Sequence, residues 1–149
     1  GGSPVVPHKV QEMILHTFGN GVDTLHIGNQ PVLLYFWREK DAGREDRLIL
    51  LKKLVEDFPD STSRIIADVC FDPDSIGWMS VVRKDSLSKV VRGWNFHAET
   101  DSLMIRAGVS RTPWFMVFDE SGKAVYVGDK SDDADKAFRK TADKKAPKK

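Results

Sequence analysis

The sequence predicts an α/β domain of three layers, in which helices cover both faces of a central mixed β-sheet. Two apolar runs, 32–37 and 65–71, have the length of strands that are buried on both faces. A segment with helical spacing lies between them, and the order strand–helix–strand is typical of a parallel β–α–β unit. Two later apolar runs, 114–118 and 124–127, are separated by about five residues, which predicts an antiparallel hairpin.

The first elements follow from local spacing. Pro7 opens a segment that ends at residues 19–21 and predicts a first helix, because its apolar residues recur at helical spacing. Those residues are Val10, Met13, Ile14 and Phe18. Residues 22–27 alternate weakly between apolar and polar side chains, which predicts a short strand at an edge of the sheet.

The remaining helices are marked by spacing and by their termini. Apolar residues at helical spacing over 48–58 predict a helix between the two buried strands, and Pro59 ends it. Residues 72–75 predict a turn and an N-cap, after which a second helix begins. A short helical turn over 102–107 precedes the hairpin, and a polar helix over 132–141 follows it.

Length and composition are those of one globular domain. The 149 residues are 40% hydrophobic and 30% charged, an ordinary mixture for a folded chain. We predict a disordered stub over 1–4, a single domain over 5–141 and a flexible lysine-rich tail over 142–149. The longest apolar run, 32–37, is far shorter than a membrane span, which needs about 20 residues.

Charge and cysteine content exclude several kinds of function. The net charge of +1 comes from the lysine-rich tail, so the predicted domain lacks the basic face of a nucleic-acid binder. Cys70 is the single cysteine, which excludes an intramolecular disulfide and a zinc site built on paired thiolates. The histidines have no metal-ligand spacing and no phosphate-binding loop is apparent. We therefore predict no metal or cofactor and no nucleic-acid partner. We also predict a monomer.

Two motifs resemble thioredoxin-like proteins, and most closely the TlpA/ResA-type envelope thiol-disulfide oxidoreductases. The run 32–37 with the break and helix after it resembles the strand that leads into the active site of those proteins. Residues 108–123 resemble their Thr-Pro loop, strand and hairpin. Residues 65–72 lie where those proteins have their middle strand, and 94–95 lie where they have the residues before the short helix. The resemblance covers roughly residues 20–140. It implies a thioredoxin-like fold and a cis peptide bond before Pro113, and it favours a location in the bacterial envelope.

The chain departs from this family at the redox centre. The resemblance places the two cysteines of the family's Cys-x-x-Cys motif at Asp41 and Arg44. Disulfide exchange needs a thiolate nucleophile and a second thiol, and neither residue supplies one. We therefore predict no disulfide reductase activity at this site. The alternative to a binding role is that Asp41 caps the helix and Arg44 is solvated.

We predict that the former substrate groove around Pro113 is a binding or scaffold surface for a peptide, a protein or a small acidic ligand. Tryptophan and arginine are frequent anchors of binding surfaces, although core packing is the alternative for each tryptophan. The candidate residues of this groove are Trp37, Asp41, Arg44, Trp94, His97, Arg111, Thr112, Pro113 and Trp114.

The second hypothesis is thiol chemistry, either disulfide exchange or reaction with peroxide, at Cys70 with an external thiol. It requires an accessible cysteine whose pKa is lowered by a positive neighbour or a helix N-terminus. The alternative is an inert, packed cysteine, which the neighbouring aspartates at 68, 72 and 74 favour.

Overall fold

The computed structural model describes residues 11–17, 21–95, 109 and 111–145. These residues form one seven-stranded sheet and three helices. The strands are β1 (Gln11–Thr17), β2 (Gly21–Ile27), β3 (Val32–Trp37), β4 (Ile65–Cys70), β5 (Val91–Trp94), β6 (Trp114–Phe118) and β7 (Ala124–Gly128). The helices are α1 (Arg44–Asp57), α2 (Ser75–Asp85) and α3 (Ser131–Lys145).

The sheet is mixed, with the order β2-β1-β5-β4-β3-β6-β7. Strands β3, β4 and β5 are parallel neighbours, whereas β6 is antiparallel to both β3 and β7. The parallel pairing of the two buried strands and the hairpin are therefore confirmed. Strand β2 lies at an edge, also as predicted.

Two apolar clusters fill the two faces of the sheet because successive side chains of a strand point to opposite faces. In β3, Leu33, Tyr35 and Trp37 face the three described helices, which contribute Leu51, Trp78 and Phe138 among others. Val32, Leu34 and Phe36 face the other side, where they pack with apolar residues of β1, β2, β4 and β6. The short helix predicted over 102–107 lies outside the described residues.

The predicted first helix is wrong, because residues 11–17 form strand β1. Met13 and Leu15 are fully buried, while Ile14 between them is 57% exposed, which is the alternation of a strand. The spacing of Met13 and Ile14 fits a helix as well, so the pattern in such a short segment was ambiguous. Seven residue pairs with β2 decide the outcome in favour of the strand. Strand β5 was not predicted, because its four residues show no clear alternation of apolar and polar side chains.

The helices begin and end close to the predicted signals, with two differences. The Asp74 side chain caps α2, since its Oδ1 accepts hydrogen bonds from the backbone N–H groups of Ile76 and Gly77 at 3.0 Å. Helix α1 begins at Arg44, four residues before the predicted apolar stripe. Helix α3 continues to Lys145 and buries Ala142, so the first residues of the predicted tail are helical. Among the described residues, no helix is long and apolar enough to cross a membrane.

Candidate functional site

A small polar cluster joins the loop over residues 38–43 to the segment that precedes β6. One carboxylate oxygen of Asp41 accepts a hydrogen bond from the backbone N–H of Arg38 at 2.9 Å. Its other oxygen accepts one from the Thr112 hydroxyl, also at 2.9 Å. The Arg38 guanidinium donates to the same hydroxyl at 3.2 Å. Thr112 thus contacts both the acidic and the basic side chain of this loop. We call Arg38, Asp41 and Thr112 the loop cluster.

The sheet topology explains why these residues meet. Strands β3 and β6 are antiparallel neighbours, so the end of β3 lies beside the start of β6, with Phe36 opposite Trp114. The peptide bond between Thr112 and Pro113 is cis, as the resemblance implies. The predicted proximity of Asp41 to the Thr112–Pro113 segment is therefore observed.

The loop is tied to helix α1 at its other end. Gly43, the N-cap residue of α1, has a φ of 79°, a conformation that L side chains rarely adopt. Arg47 donates to the carbonyl oxygen of Ala42 at 2.7 Å and to the Tyr35 hydroxyl at 2.9 Å. Burial raises the pKa of Tyr35 from 10 to about 12, although the hydrogen bond from Arg47 acts in the opposite direction. Asp41 does not cap the helix, contrary to the alternative considered above.

Arg44, three residues after Asp41, is held by Asp85, so the solvated arginine considered from sequence is wrong. Its guanidinium forms two bonds to the Asp85 carboxylate, at 3.0 and 3.2 Å, and lies 4.8 Å from the centre of the Trp37 ring. Only 15% of the side chain is exposed. Arg44 is therefore neither a solvated residue nor a free cation for a ligand.

Trp37 is also not a groove residue, because it is fully buried. Its ring faces the helices, and its Nε1–H donates to the Asp68 carboxylate at 3.0 Å. Core packing, the alternative stated for the tryptophans, is the correct interpretation for this one.

The other two tryptophans predicted for the groove lie in different parts of the structure, at the end of β5 and at the start of β6. Trp94, at the end of β5, stacks on Trp78 at 6.5 Å between ring centres and donates to the backbone carbonyl oxygen of Asp72 at 2.5 Å. The Asp72 carboxylate accepts from the backbone N–H of Glu39 at 2.8 Å, so Asp72 connects Trp94 to the loop. His97 lies outside the described residues.

Arg111 and Trp114 flank the Thr112–Pro113 segment. The Arg111 guanidinium lies 4.7 Å from the centre of the Trp114 ring and 3.1 Å from the Asp129 carboxylate. Its side chain is 61% exposed, so it is the accessible cation of this segment. The hydrogen bond from Arg111 lowers the pKa of Asp129 below the usual range of an aspartate.

Cys70 does not meet the requirements of the thiol hypothesis. It is fully buried at the end of β4, and its Sγ lies 3.5 Å from a carboxylate oxygen of Asp72. Burial and this neighbouring carboxylate raise the pKa of the thiol, although the backbone N–H of Asp72 opposes the shift. The inert, packed cysteine is the interpretation that this geometry supports.

An open depression of about 470 Å³ lies beside the loop cluster. It is lined by four acidic residues together with Gly43 and Arg44: Glu39, Asp41, Glu45 and Asp46. Since Arg44 is paired with Asp85, the uncompensated charge of this depression is negative. Among the described residues, no three His, Cys, Asp or Glu side chains are arranged to hold a metal ion.

Sequence reasoning missed the partners that organise this region. Trp37 is bonded to Asp68 and Arg44 to Asp85, and Arg92 pairs with both of these carboxylates. The loop is positioned by Arg38 and Asp72. One signal was available, because Asp68 is a charged residue inside an otherwise apolar strand, where charges occur only with partners. Its partners come from elements that are distant in sequence, so their identity could not be read from spacing.

Comparison with known proteins identifies relatives by fold rather than by sequence. No protein-family model matches the chain, and no curated protein does. Among solved structures it is similar to the thioredoxin domain of a thiol-disulfide oxidoreductase from Bacteroides vulgatus, with a TM-score of 0.71 and 17% identity. That match covers 92% of this chain and 98% of the other.

Two further structures agree. A thiol-disulfide oxidoreductase from Bacteroides fragilis matches with a TM-score of 0.70 and 16% identity, over 90% of this chain and 96% of that one. StoA from Bacillus subtilis matches with a TM-score of 0.65 and 14% identity, over 90% and 98% of the two chains. The chain therefore has the thioredoxin-like fold, and its structural neighbours include thiol-disulfide oxidoreductases from two Bacteroides species.

Proposed function

We propose that this chain is a redox-inactive thioredoxin-like domain that binds an extended peptide segment at the loop cluster and the neighbouring Thr112–Pro113 segment. The observation that carries the proposal is the contact between Asp41 and Thr112. Asp41 occupies the place that the resemblance assigns to the first cysteine, and its carboxylate lies 2.9 Å from the Thr112 hydroxyl. The site is thus assembled from the expected segments but presents a carboxylate, which cannot exchange disulfides.

The charges that line the depression favour a basic ligand over the acidic one considered from sequence, whereas the exposed Arg111 is a cation at the Thr112–Pro113 segment. Arg44 is paired with Asp85, while the adjoining depression is lined by Glu39, Glu45 and Asp46 as well as Asp41. Complementary charge increases the rate and specificity of association more than its final strength. An extended peptide with lysine or arginine would add to the exposed segment as a strand does, with affinity in the micromolar class, about −8 kcal/mol at most.

The test is an NMR titration with two extended peptides that differ only in carrying lysine or glutamate. We expect the lysine peptide to shift the amides of residues 38–46 and 111–114, and the glutamate peptide to leave them unchanged. The double variant Glu45→Gln/Asp46→Asn should weaken binding up to about tenfold, which corresponds to about 1.4 kcal/mol. The matched control is Asp132→Asn/Asp133→Asn, which neutralises the acidic first turn of α3 instead.

Two outcomes would contradict the proposal. Shifts confined to other surfaces would exclude the loop cluster as the binding site, and equal weakening by both double variants would reduce the effect to net charge. A separate redox measurement tests the inactive centre: in an insulin reduction assay, we expect no rate above that of the reductant alone. A rate that Cys70→Ser abolishes would instead restore the thiol hypothesis.

A further inference from the structure

Four charged side chains form a continuous chain between the sheet and helices α1 and α2. Arg92 of β5 lies 2.5 Å from Asp68 of β4 and 3.0 Å from Asp85, the last residue of α2. Asp85 also binds Arg44, the first residue of α1, at 3.0 Å. Arg44 is the most exposed of the four at 15%, and Asp68 is fully buried. We call Arg44, Asp68, Asp85 and Arg92 the buried charge chain.

The helix ends alone do not explain this arrangement. A cation is disfavoured at the first turn of a helix, and an anion at the last turn, because of the helix dipole. Arg44 and Asp85 each stand at the end that disfavours their charge, and they are bonded to each other. Their pairing offsets both unfavourable placements, and it ties the start of α1 to the end of α2.

The buried charge chain holds both ends of the loop over residues 38–43. On the strand side, Trp37 donates its indole N–H to Asp68 at 3.0 Å. On the helix side, Arg44 is bonded to Asp85, and Arg92 connects Asp85 to Asp68. The loop that carries Asp41 therefore lies between two residues, Trp37 and Arg44, whose carboxylate partners Asp68 and Asp85 are joined by Arg92.

Asp68 is the member of the chain whose protonation is accessible near neutral pH. Burial raises its pKa to about 6, although the nearby charge of Arg92 and the hydrogen bond from Trp37 act in the opposite direction. The ionisable groups around it come from every neighbouring element. They are Tyr35 of β3 with its partner Arg47 of α1, Arg92 of β5, Asp85 of α2, Arg44 of α1 and Cys70 of β4 itself.

We propose that the buried charge chain is a proton-responsive clamp, in which proton uptake by Asp68 shifts the loop over residues 38–43. With Asp68 ionised, two carboxylates compensate two guanidinium groups. A proton from solvent leaves the chain with a net charge of +1, and both guanidinium groups then depend on Asp85. Arg44 and Trp37 lose part of their restraint together, so the loop between them responds. The inference goes beyond the proposed binding function and requires no ligand.

The test is a pH titration of the whole chain by NMR between pH 4.5 and 8. We expect the Asp68 carboxyl carbon, the Trp37 indole N–H and the amides of residues 38–46 to titrate with one common midpoint near 6. Since histidine side chains titrate in the same range, Asp68→Asn must identify the group. This variant should abolish the transition and hold the amides of residues 38–46 near the wild-type positions of low pH.

Two further variants make the result decisive. Asp23→Asn, at an exposed aspartate of β2, is the matched control and should leave the transition unchanged. Arg44→Gln should uncouple the helix side, so that the Trp37 indole still titrates while residues 44–46 no longer follow. Different midpoints for the loop and for the Asp68 carboxyl carbon, or a loop transition that persists in Asp68→Asn, would overturn the proposal. If Asp68→Asn does not fold, two measurements still test the proposal. They are the midpoint of the Asp68 carboxyl carbon in the wild type and the loss of the transition at residues 44–46 in Arg44→Gln.

Discussion

Asp41 and Arg44 are three residues apart, yet the structure uses them in opposite ways. Asp41 is half-buried and is held by a backbone N–H and a hydroxyl of the loop cluster. Arg44 turns inward, where a carboxylate and an aromatic ring enclose it. The resemblance assigns both to the same lost motif. One position that the resemblance assigns to a cysteine thus joins the loop cluster, while the other joins the buried charge chain.

The two environments differ in the cost of removing a partner. In the loop cluster, water can reach the groups that a substitution leaves unpaired. In the buried charge chain, a remaining charge would be cut off from water, and charges interact more strongly there because the local dielectric is low. The difference predicts a ranking of effects, and three measurements test it.

The largest effect is expected for Arg92→Met, which keeps the apolar stem and removes the charge. Asp68 would lose its cation, and removal of one partner of a buried ion pair costs about 3–5 kcal/mol. Chemical denaturation should show this decrease in the free energy of unfolding. The double variant Asp68→Asn/Arg92→Met should be less destabilised than Arg92→Met alone, because no buried anion is left without its cation.

Arg111→Met is the control for that measurement. Arg111 pairs with Asp129 at the surface, and exposed ion pairs contribute little to stability. A loss of stability as large as that of Arg92→Met would contradict the contrast between the two regions.

The second effect is a pH dependence that Asp68 alone should cause. Its pKa in the folded chain, about 6, lies above the ordinary value of 3.8, so the folded state binds its proton more tightly than the unfolded state does. The corresponding stability is fully present below pH 3.8 and is lost as pH rises through 6. The loss amounts to about 3 kcal/mol at most.

Comparison of two proteins isolates this contribution from the other carboxylates. Asp68→Asn cannot titrate, so its stability relative to wild type should rise between pH 4 and pH 7. Denaturation at several pH values in this range measures the difference. If the difference in stability between the two proteins does not change with pH, burial does not raise the pKa of Asp68. That result would contradict the proposed clamp.

Much of the fold could be predicted because its strands are strongly apolar. The run from Val32 to Trp37 is buried throughout, and its helix and parallel partner follow along the chain. Residues 11–17 could not be assigned correctly, since Met13 and Ile14 continue a helical spacing, while Met13 and Leu15 fit the alternation of a strand. Only pairing with β2, a contact between segments, selects the strand.

Less of the site could be predicted, for a related reason. The closeness of Asp41 to Thr112 followed from the resemblance, because it depends on the order of strands. The fate of Arg44 depended on Asp85, which lies 41 positions away. The spacing of residues along the chain does not indicate such a pair. A long charged side chain turns toward the partner that offsets the cost of burying its charge, and here that partner is distant in sequence.

The smallest effect is expected for Thr112→Val, which replaces the central hydroxyl of the loop cluster by a methyl group. Asp41 and Arg38 would each lose one hydrogen bond, at 2.9 and 3.2 Å. Because both groups are partly accessible to water, the free energy of unfolding should fall by about 1–2 kcal/mol. Thr62→Val, which removes an exposed hydroxyl bonded to Asp60, should have a smaller effect. An effect of Thr112→Val as large as that of Arg92→Met would place the loop cluster in the same desolvated environment as the buried charge chain.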